Sequence, residues 1–591
     1  MAEQTAPTPT CDDHPQRPAD FATLTQALDY AAAGRRGFNF HDARGRLREV
    51  LPYRELRERA RNMARRLIAL GLRAGDRVAM VVDTEAAFPV VFFGCRYAGL
   101  VPVALPLPVN LGSHEAYVEQ IRGLLQACDA NLVVAGDDYN GLVQEAMPAV
   151  PGVTLYTPGA LEELPAPEAE LPPSVPGDVA YLQFTSGSTR FSRGVVITER
   201  AVMSNLQGIV RHGLQVRPDD RCASWLPLYH DMGLVGFLLG PMVSQLSVDY
   251  LRPRDFGVRP LRWLGLISSN RCTIAFGPPF GYALCSRRLR PGDLEGLDLR
   301  SWRIAGVGAE MIRPAVLDSF AELLAPAGFD TRAFVACYGL AEASLAVTFA
   351  PLSRGLDVMS LDRDALARDG KALPAAGSGA QEARMVSCGP VLPGHQLVIR
   401  DEHHQPLPDG QIGRVTVSGP SLMSGYFRNP EASREVLHAD GWMDTGDLGF
   451  MTDGQLVVTG RRKDLIIVNG RNIWPQDLEH LAEGEPEVRA GDASAFAVPG
   501  RDGTDQVVLV VQCRLHDAAQ RGELAARLRR GVYAHAGVRC TVELVPPHTL
   551  PRTSSGKLSR AAARRDYLQR LEQDDTAASA AAAAHLAAGV A

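Results

Sequence analysis

Residues Thr185, Ser186, Gly187, Ser188, Thr189 and Arg190 follow one another between two apolar runs, at 179–184 and 195–197. Their hydroxyls, and the backbone N–H groups that glycine leaves approachable, are donors of the kind a polyphosphate needs. The segment lacks the G-x-x-x-x-G-K-[ST] spacing of a Walker A loop. A plain polar hairpin connection explains it about equally well, so its meaning depends on what else the chain carries. Tyr338 stands beside Gly339 and four residues before Glu342. An aromatic ring can stack on a purine, and a carboxylate can hold Mg2+ through oxygen. Asp447 lies in the Gly-flanked turn GWMDTGDLGF (441–450), where one carboxylate can accept from two ribose hydroxyls. Arg461 can reach a ribose or a phosphate, and Lys557 sits on the Gly/Ser-rich turn PRTSSGKLSR (551–560). His230 precedes Asp231, and a histidine so placed is more often structural than catalytic. Taken singly these are an ordinary core tyrosine, a turn aspartate and surface cations. Their occurrence together, in this order, points to nucleotide chemistry.

Positioning such residues takes a large scaffold. The 591 residues exceed one compact core and predict two or more domains. A composition 46% hydrophobic and 22% charged is that of a globular protein. The net charge of −6 supplies no overall basic field for nucleic acid. Ten scattered cysteines without C-x-x-C spacing indicate neither a zinc site nor a disulfide framework, and fit reduced thiols in a cytosol. Residues 1–20 lack the apolar core of a signal peptide. The most apolar stretches, near 87–108 and 232–248, are too interrupted to span a membrane.

Leu56, Ala60, Met63, Ala64, Leu67 and Ile68 recur at helical spacing and predict a helix over 53–70, stopped at Gly71. The arginine stripe on its other face reads as solvated. Strands expected at 76–82, 101–105 and 131–135 alternate with helices ending near 97 and covering 115–128 and 200–212. That alternation predicts an α/β fold, a large N-terminal domain of parallel or mixed sheets with helices. After about 460 the texture becomes that of a small, mobile C-terminal α+β domain. The expected organisation is a disordered extension over 1–20, the large domain over 21–460, the small domain over 461–567 and an Ala-rich tail over 568–591. Residues 350–386 read as loop-like.

The loop at 185–189, ACYGLAEA (336–343), GWMDTGDLGF, GRRKDLIIVNGRNIWPQDLE (460–479) and PRTSSGKLSR together resemble the adenylate-forming superfamily of acyl-CoA synthetases, nonribosomal-peptide adenylation domains and luciferases, while LPLYHDMGL (226–234), YGLAEASLAV (338–347) and GRNIWPQDLE (470–479) are typical of its fatty acyl-AMP ligase branch. The resemblance covers about residues 20–567. Within that superfamily the chain most resembles the fatty acyl-AMP ligases. Arg190 stands where acyl-CoA synthetases usually carry glycine, and residues 351–386 fall where those ligases carry an insertion. Two positions depart from the superfamily pattern. Arg193 replaces a common lysine, which keeps the charge and changes its geometry, and Glu199 stands where a histidine is usual.

The resemblance implies ATP and Mg2+, a fatty acid, and a ligase that forms acyl-AMP. By the same resemblance, Thr185, Ser186, Gly187, Ser188 and Thr189 hold the β- and γ-phosphates, with Arg190 or Arg193 assisting. Glu342 holds Mg2+. Tyr338 and Gly339, with the backbone of Gly308, Ala309 and Glu310, receive adenine. Asp447 and Arg461 fix the ribose, Lys557 bridges carboxylate and α-phosphate, and His230 lies by the reacting carboxylate. Lys463 falls at the hinge of the small domain, although a solvated turn explains a charge there equally well. The implied enzyme is cytoplasmic, without a membrane span or a nucleic-acid partner. It passes its acyl group to the phosphopantetheine thiol of a holo acyl carrier protein on a separate chain, in a polyketide, nonribosomal-peptide or lipid pathway. Two other readings stay open: an acyl-CoA synthetase using free CoA, and an inactive acyl- or nucleotide-binding protein. The presence of Lys557, Glu342 and Asp447 speaks against the second. Acid-pocket residues are expected from 225–240 and 274–284.

Lys557→Ala is expected to retain ATP binding and to lose adenylation by about 10²–10³-fold, the scale of removing one charge that acts mainly in the transition state. ATP–pyrophosphate exchange measures it, and near wild-type exchange would remove Lys557 from the mechanism.

Overall fold

The computed structural model describes residues 14–108, 114–185, 193–376, 382–468, 471–499, 505–553 and 558–573. Ser186, Gly187, Ser188, Thr189, Arg190 and Lys557 lie outside the described residues. Two large sheets carry the N-terminal part. One runs Ala346–Phe349, Phe334–Gly339, Ile304–Val307, Ile274–Gly277, Arg221–Ser224, Ser247–Leu251, Gly37–His41 and Leu47–Pro52. Its inner pairs are parallel and its two outermost pairs antiparallel. The other runs Gly425–Tyr426, Gly194–Thr198, Val179–Phe184, Val101–Ala104, Arg77–Val81, Leu132–Ala135 and Thr154–Tyr156. Central strands such as LVVA and IAFG are buried at every residue, as strands covered on both faces must be.

The predicted helices form at Tyr53–Ala69, Ala87–Tyr97, His114–Ala127 and Glu199–Gly208, and the last continues as a π-helical turn over Ile209–Gly213. A four-stranded antiparallel sheet of Gln396–Arg400, Gly413–Ser418, Met443–Thr452 and Gln455–Arg461 completes the large part. Its apolar core runs from Ala19 to Leu456. A separate core begins at Ile466, built from the strands Ala493–Pro499, Asp505–Gln512 and Cys540–Val545 and the helices Pro475–Glu483 and Ala518–Ala536. The turn Arg462–Asp464 stands between the two cores.

Three sequence expectations are corrected. Residues 14–20 are not a free extension: His14 Nε2 meets the Tyr30 carbonyl at 3.1 Å, the Ala19 N–H donates to the Val243 carbonyl at 2.9 Å, and Ala19 is buried. Residues 351–386 are not a plain loop. Val358–Asp362 pairs antiparallel with Glu382–Val386, the helix Arg363–Asp369 lies between them in the chain, and Leu361 and Leu366 seat on Phe450 and Val457. Few apolar residues suffice there because the neighbouring sheet provides the rest of the core. The helix over 560–573 crosses the expected tail boundary, with Leu568 against Phe496 and Tyr567.

Glu199, the residue out of pattern, is 0% exposed and pairs with Arg96, which is 1% exposed, at 3.0 Å. Glu199 Oε2 also accepts from the Leu24 N–H at 2.8 Å. Arg96 donates to the carbonyls of Leu100 at 2.7 Å and Val179 at 2.8 Å. Burial pushes the Glu199 carboxyl up, and Arg96 opposes that shift. Glu199→Ala is expected to destabilise the large part by about 3–5 kcal/mol, because it strands a buried guanidinium. An Arg96→Met/Glu199→Leu pair should lose less, and urea midpoints of the three proteins decide the comparison.

Candidate active site

One cavity of about 650 Å³ gathers most of the described candidates: Thr185, His230, Ala309, Tyr338, Gly339, Glu342, Asp447, Arg461 and Lys463. Gly308 and Glu310 flank Ala309 without lining it. The hairpin Val179–Phe184 to Gly194–Thr198 delivers Thr185, whose N–H donates to the Arg193 carbonyl at 3.1 Å. The strand Phe334–Gly339 ends at Tyr338 and Gly339. A Cβ at Gly339 would sit 1.8 Å from the Leu345 carbonyl oxygen, so only glycine lets the chain double back to present Glu342.

The strand Met443–Thr452 supplies Asp447, which is buried. Tyr338 donates its O–H to Asp447 Oδ2 at 2.7 Å, and Arg461 Nε stands 3.4 Å from Oδ1. Burial pushes the Asp447 carboxyl above its usual range, with Arg461 and Tyr338 opposing. Asp447 in turn raises the Arg461 guanidinium, which favours its charged form. Burial and neighbouring Arg461 hold the Lys463 ammonium below its usual value. Glu342 accepts from the Tyr426 O–H at 2.8 Å, and burial raises its carboxyl. The Arg193 guanidinium lies over the Tyr426 ring at 5.1 Å, a cation–π contact. His230 Nδ1 is 2.6 Å from Asp231 Oδ1, at the start of the helix Asp231–Gly233.

Among the described residues no group of three or more His, Cys, Asp or Glu side chains could hold a metal by itself. Glu342, one of the carboxylates lining the cavity, fits Mg2+, which keeps several waters and is usually bound by one or two carboxylates with substrate phosphates.

Sequence reasoning missed Gln183 and Tyr426. Gln183 Nε2 donates to the Tyr229 carbonyl at 2.8 Å, tying the hairpin to the His230 segment, while its buried Oε1 has no partner among the described residues. Gln183 sits inside an apolar strand run and Tyr426 on a two-residue strand, so neither stood out by spacing. The acid-pocket expectation was too narrow. Met232, Gly236, Phe237, Ile274 and Phe276 line the cavity, but so do Ile209, Leu214, Leu246 and Phe349.

Comparison with known proteins gives the family of the chain. The model of the AMP-binding enzyme family matches residues 38–427, and the chain belongs to that family of adenylate-forming enzymes. A solved chain from structural and functional studies of fatty acyl-adenylate ligases from E. coli and L. pneumophila superposes with a TM-score of 0.91 at 48% identity, over 95% of this chain and 100% of that one. A Caulobacter vibrioides relative that bears the provisional name acyl-CoA synthetase is 49% identical over 571 residues, 96% of this chain and 99% of its own length. The medium-chain-fatty-acid–[acyl-carrier-protein] ligase JamA of Moorena producens is 30% identical over 575 residues, 93% of this chain and 96% of its own. The resemblance to fatty acyl-AMP ligases therefore holds over nearly the whole chain.

Asp447→Ala is expected to raise KM for ATP about tenfold or more, since a charge-assisted hydrogen bond is worth roughly 1.5–3 kcal/mol. Initial rates over an ATP series test this, and an unchanged KM would reduce Asp447 to a turn residue.

Proposed function

We propose that this enzyme joins a fatty acid to AMP and then transfers the acyl group to the phosphopantetheine thiol of a separate acyl carrier protein. The observation that carries the reading is the lining of the cavity, which joins the polar Tyr338, Glu342, Asp447 and Arg461 to an apolar arm of residues such as Ile209, Phe237, Ile274 and Phe349. In the first step a carboxylate oxygen bonds to the α-phosphorus of ATP, and the bond to the β-phosphate bridge breaks to release pyrophosphate. Such a step is governed by positioning and charge neutralisation. Asp447 and Arg461 would hold the ribose against Tyr338 and Ala309. Thr185 and Arg193 would meet the phosphates with the neighbouring hydroxyl loop, and Lys557 would offset the charges of the approaching carboxylate and phosphate. His230, held by Asp231, would stand beside the acid. Mg2+ held by Glu342 would neutralise phosphate charge.

In the second step the carrier thiol attacks the acyl carbonyl and AMP leaves. Support for a carrier rather than free CoA comes from the unit over 351–386, whose described residues contact both the large part and the small domain. It seats on Phe450 and Val457 of the large part, while Arg363 donates to His535 Nδ1 of the small domain at 3.2 Å. A unit bound to both sides restrains domain rotation, so the acceptor must contribute binding energy of its own. JamA, named as a carrier-protein ligase, favours the same acceptor, whereas the Caulobacter relative's name favours CoA as a second reading. With ATP, acid and either CoA or a holo carrier, mass spectrometry is expected to find acyl-carrier and little acyl-CoA. Acyl-CoA formed as fast as acyl-AMP would reverse the assignment.

A further inference from the structure

The geometry points to a ruler in the apolar arm: this site takes straight, saturated, unsubstituted acids of about ten carbons, measured by the depth of one sheet from its carboxyl to its amino edge. The inference rests on the adenylation reading proposed above and adds the substrate's length and polarity.

The strand register gives the depth. Ile274 pairs with Ile304, and Val307 with Ala336, so Ile274 lies five residue steps below Tyr338 along the sheet. Cys222 pairs with both Ile274 and Val248, at the same low level. Cys222 and Ile274 line the cavity at its inner end, and Tyr338 and Gly339 line it at the polar end. Five steps are about 16 Å at the usual rise per strand residue. A terminal methyl needs about 4 Å of clearance from the floor atoms. With the reacting carboxyl placed at the level of Tyr338, the remaining 12 Å or so accommodates about ten carbons, since an extended chain of bonds near 1.5 Å advances about 1.25 Å per carbon.

The roof over this length is apolar and locally unwound. Ile209–Gly213 and Leu234–Leu239 are both π-helical, and each contributes lining residues, among them Ile209, Val210 and Phe237. Such wide turns recur at functional sites because they open space beside a helix. Phe349 closes over Gly213, where a Cβ would lie 2.7 Å from its ring. Val216, Leu246 and Cys222 close the inner end. Cys222 contributes the one side-chain heteroatom among the described residues there, and burial keeps its thiol neutral. A hydroxyl or second carboxylate on the distal half of the acid would find no partner, which costs binding.

The test is ATP–pyrophosphate exchange with saturated acids from four to eighteen carbons, plus 10-hydroxydecanoate. The expected kcat/KM rises about fourfold per methylene, peaks near ten carbons and falls at least tenfold by sixteen, since each buried methylene is worth about 0.8 kcal/mol until the floor is met. The hydroxy acid should fall at least tenfold below decanoate. Gly236 offers a block within the arm, because a Cβ there meets Leu345 at an ordinary 3.5 Å. Gly236→Leu should move the peak to shorter acids, and Leu246→Ala should move it to longer ones. A flat profile, or a peak at sixteen carbons or beyond, overturns the ruler while leaving adenylation standing. The wild-type profile decides this even if a variant does not fold, and exchange with none of these acids would overturn the adenylation reading and the ruler together.

Discussion

The buried Arg96–Glu199 pair is the fastening on which the site's framework hangs. Arg96 comes from the helix Ala87–Tyr97, and Glu199 opens the helix that roofs the acyl arm. Through Leu24, Leu100 and Val179 the pair also binds the first helix, the start of the strand Val101–Ala104, and the root of the hairpin that leads to Thr185. Two ions this deep are costly to desolvate, and their mutual pairing together with three hydrogen bonds to the backbone of Leu24, Leu100 and Val179 offsets that cost. An apolar pair would fill the space without fixing those directions. The charge that seemed out of pattern thus serves the scaffold and takes no part in the cavity.

A second set of contacts decides how the two cores meet. Asp447 belongs to the large part, Arg461 is the last residue of its final strand, and Lys463 lies in the turn that follows. The cavity is therefore lined by the segment that leads into the small domain, so the candidate site and the junction of the two cores share the same few residues. Arg313 binds Glu483 at 2.7 Å, and His480 with Arg313 draws that carboxyl down to about 2 despite its burial, while Arg363 meets His535, whose imidazole is held down to about 4 by burial and the adjacent guanidinium. These polar contacts join surfaces whose apolar cores remain separate, a construction suited to domains that shift against each other.

Much of this was readable from residue types and spacing. The helices at 53–70 and 115–128 and the strands between them follow from period and from stop signals such as Gly71, because local propensity and burial agree there. Tyr338, Glu342, Asp447 and Arg461 stood out because unusual polar residues sit on short motifs flanked by glycine. The unit over 351–386 escaped notice because its core is borrowed: Leu361 and Leu366 look too sparse until Phe450 and Val457, distant in sequence, are set against them. Residues 14–20 escaped for the same reason, since their partners Tyr30 and Val243 lie elsewhere in the chain.

By itself the sequence determined the class of enzyme and singled out the polar residues that line one end of the cavity, because unusual donors and acceptors on short glycine-flanked motifs are recognisable in one dimension. Only the tertiary structure decided the depth of the acyl arm, the roles of Gln183 and Tyr426, and the task of Glu199. Each of these depends on strand register or on residues far apart in the chain. Cys222 and Ile274 are ordinary core residues in one dimension and become the end of a measured space only when their strands are paired. Apolar pattern says that a residue is buried; the neighbours that burial brings to it come from the whole fold.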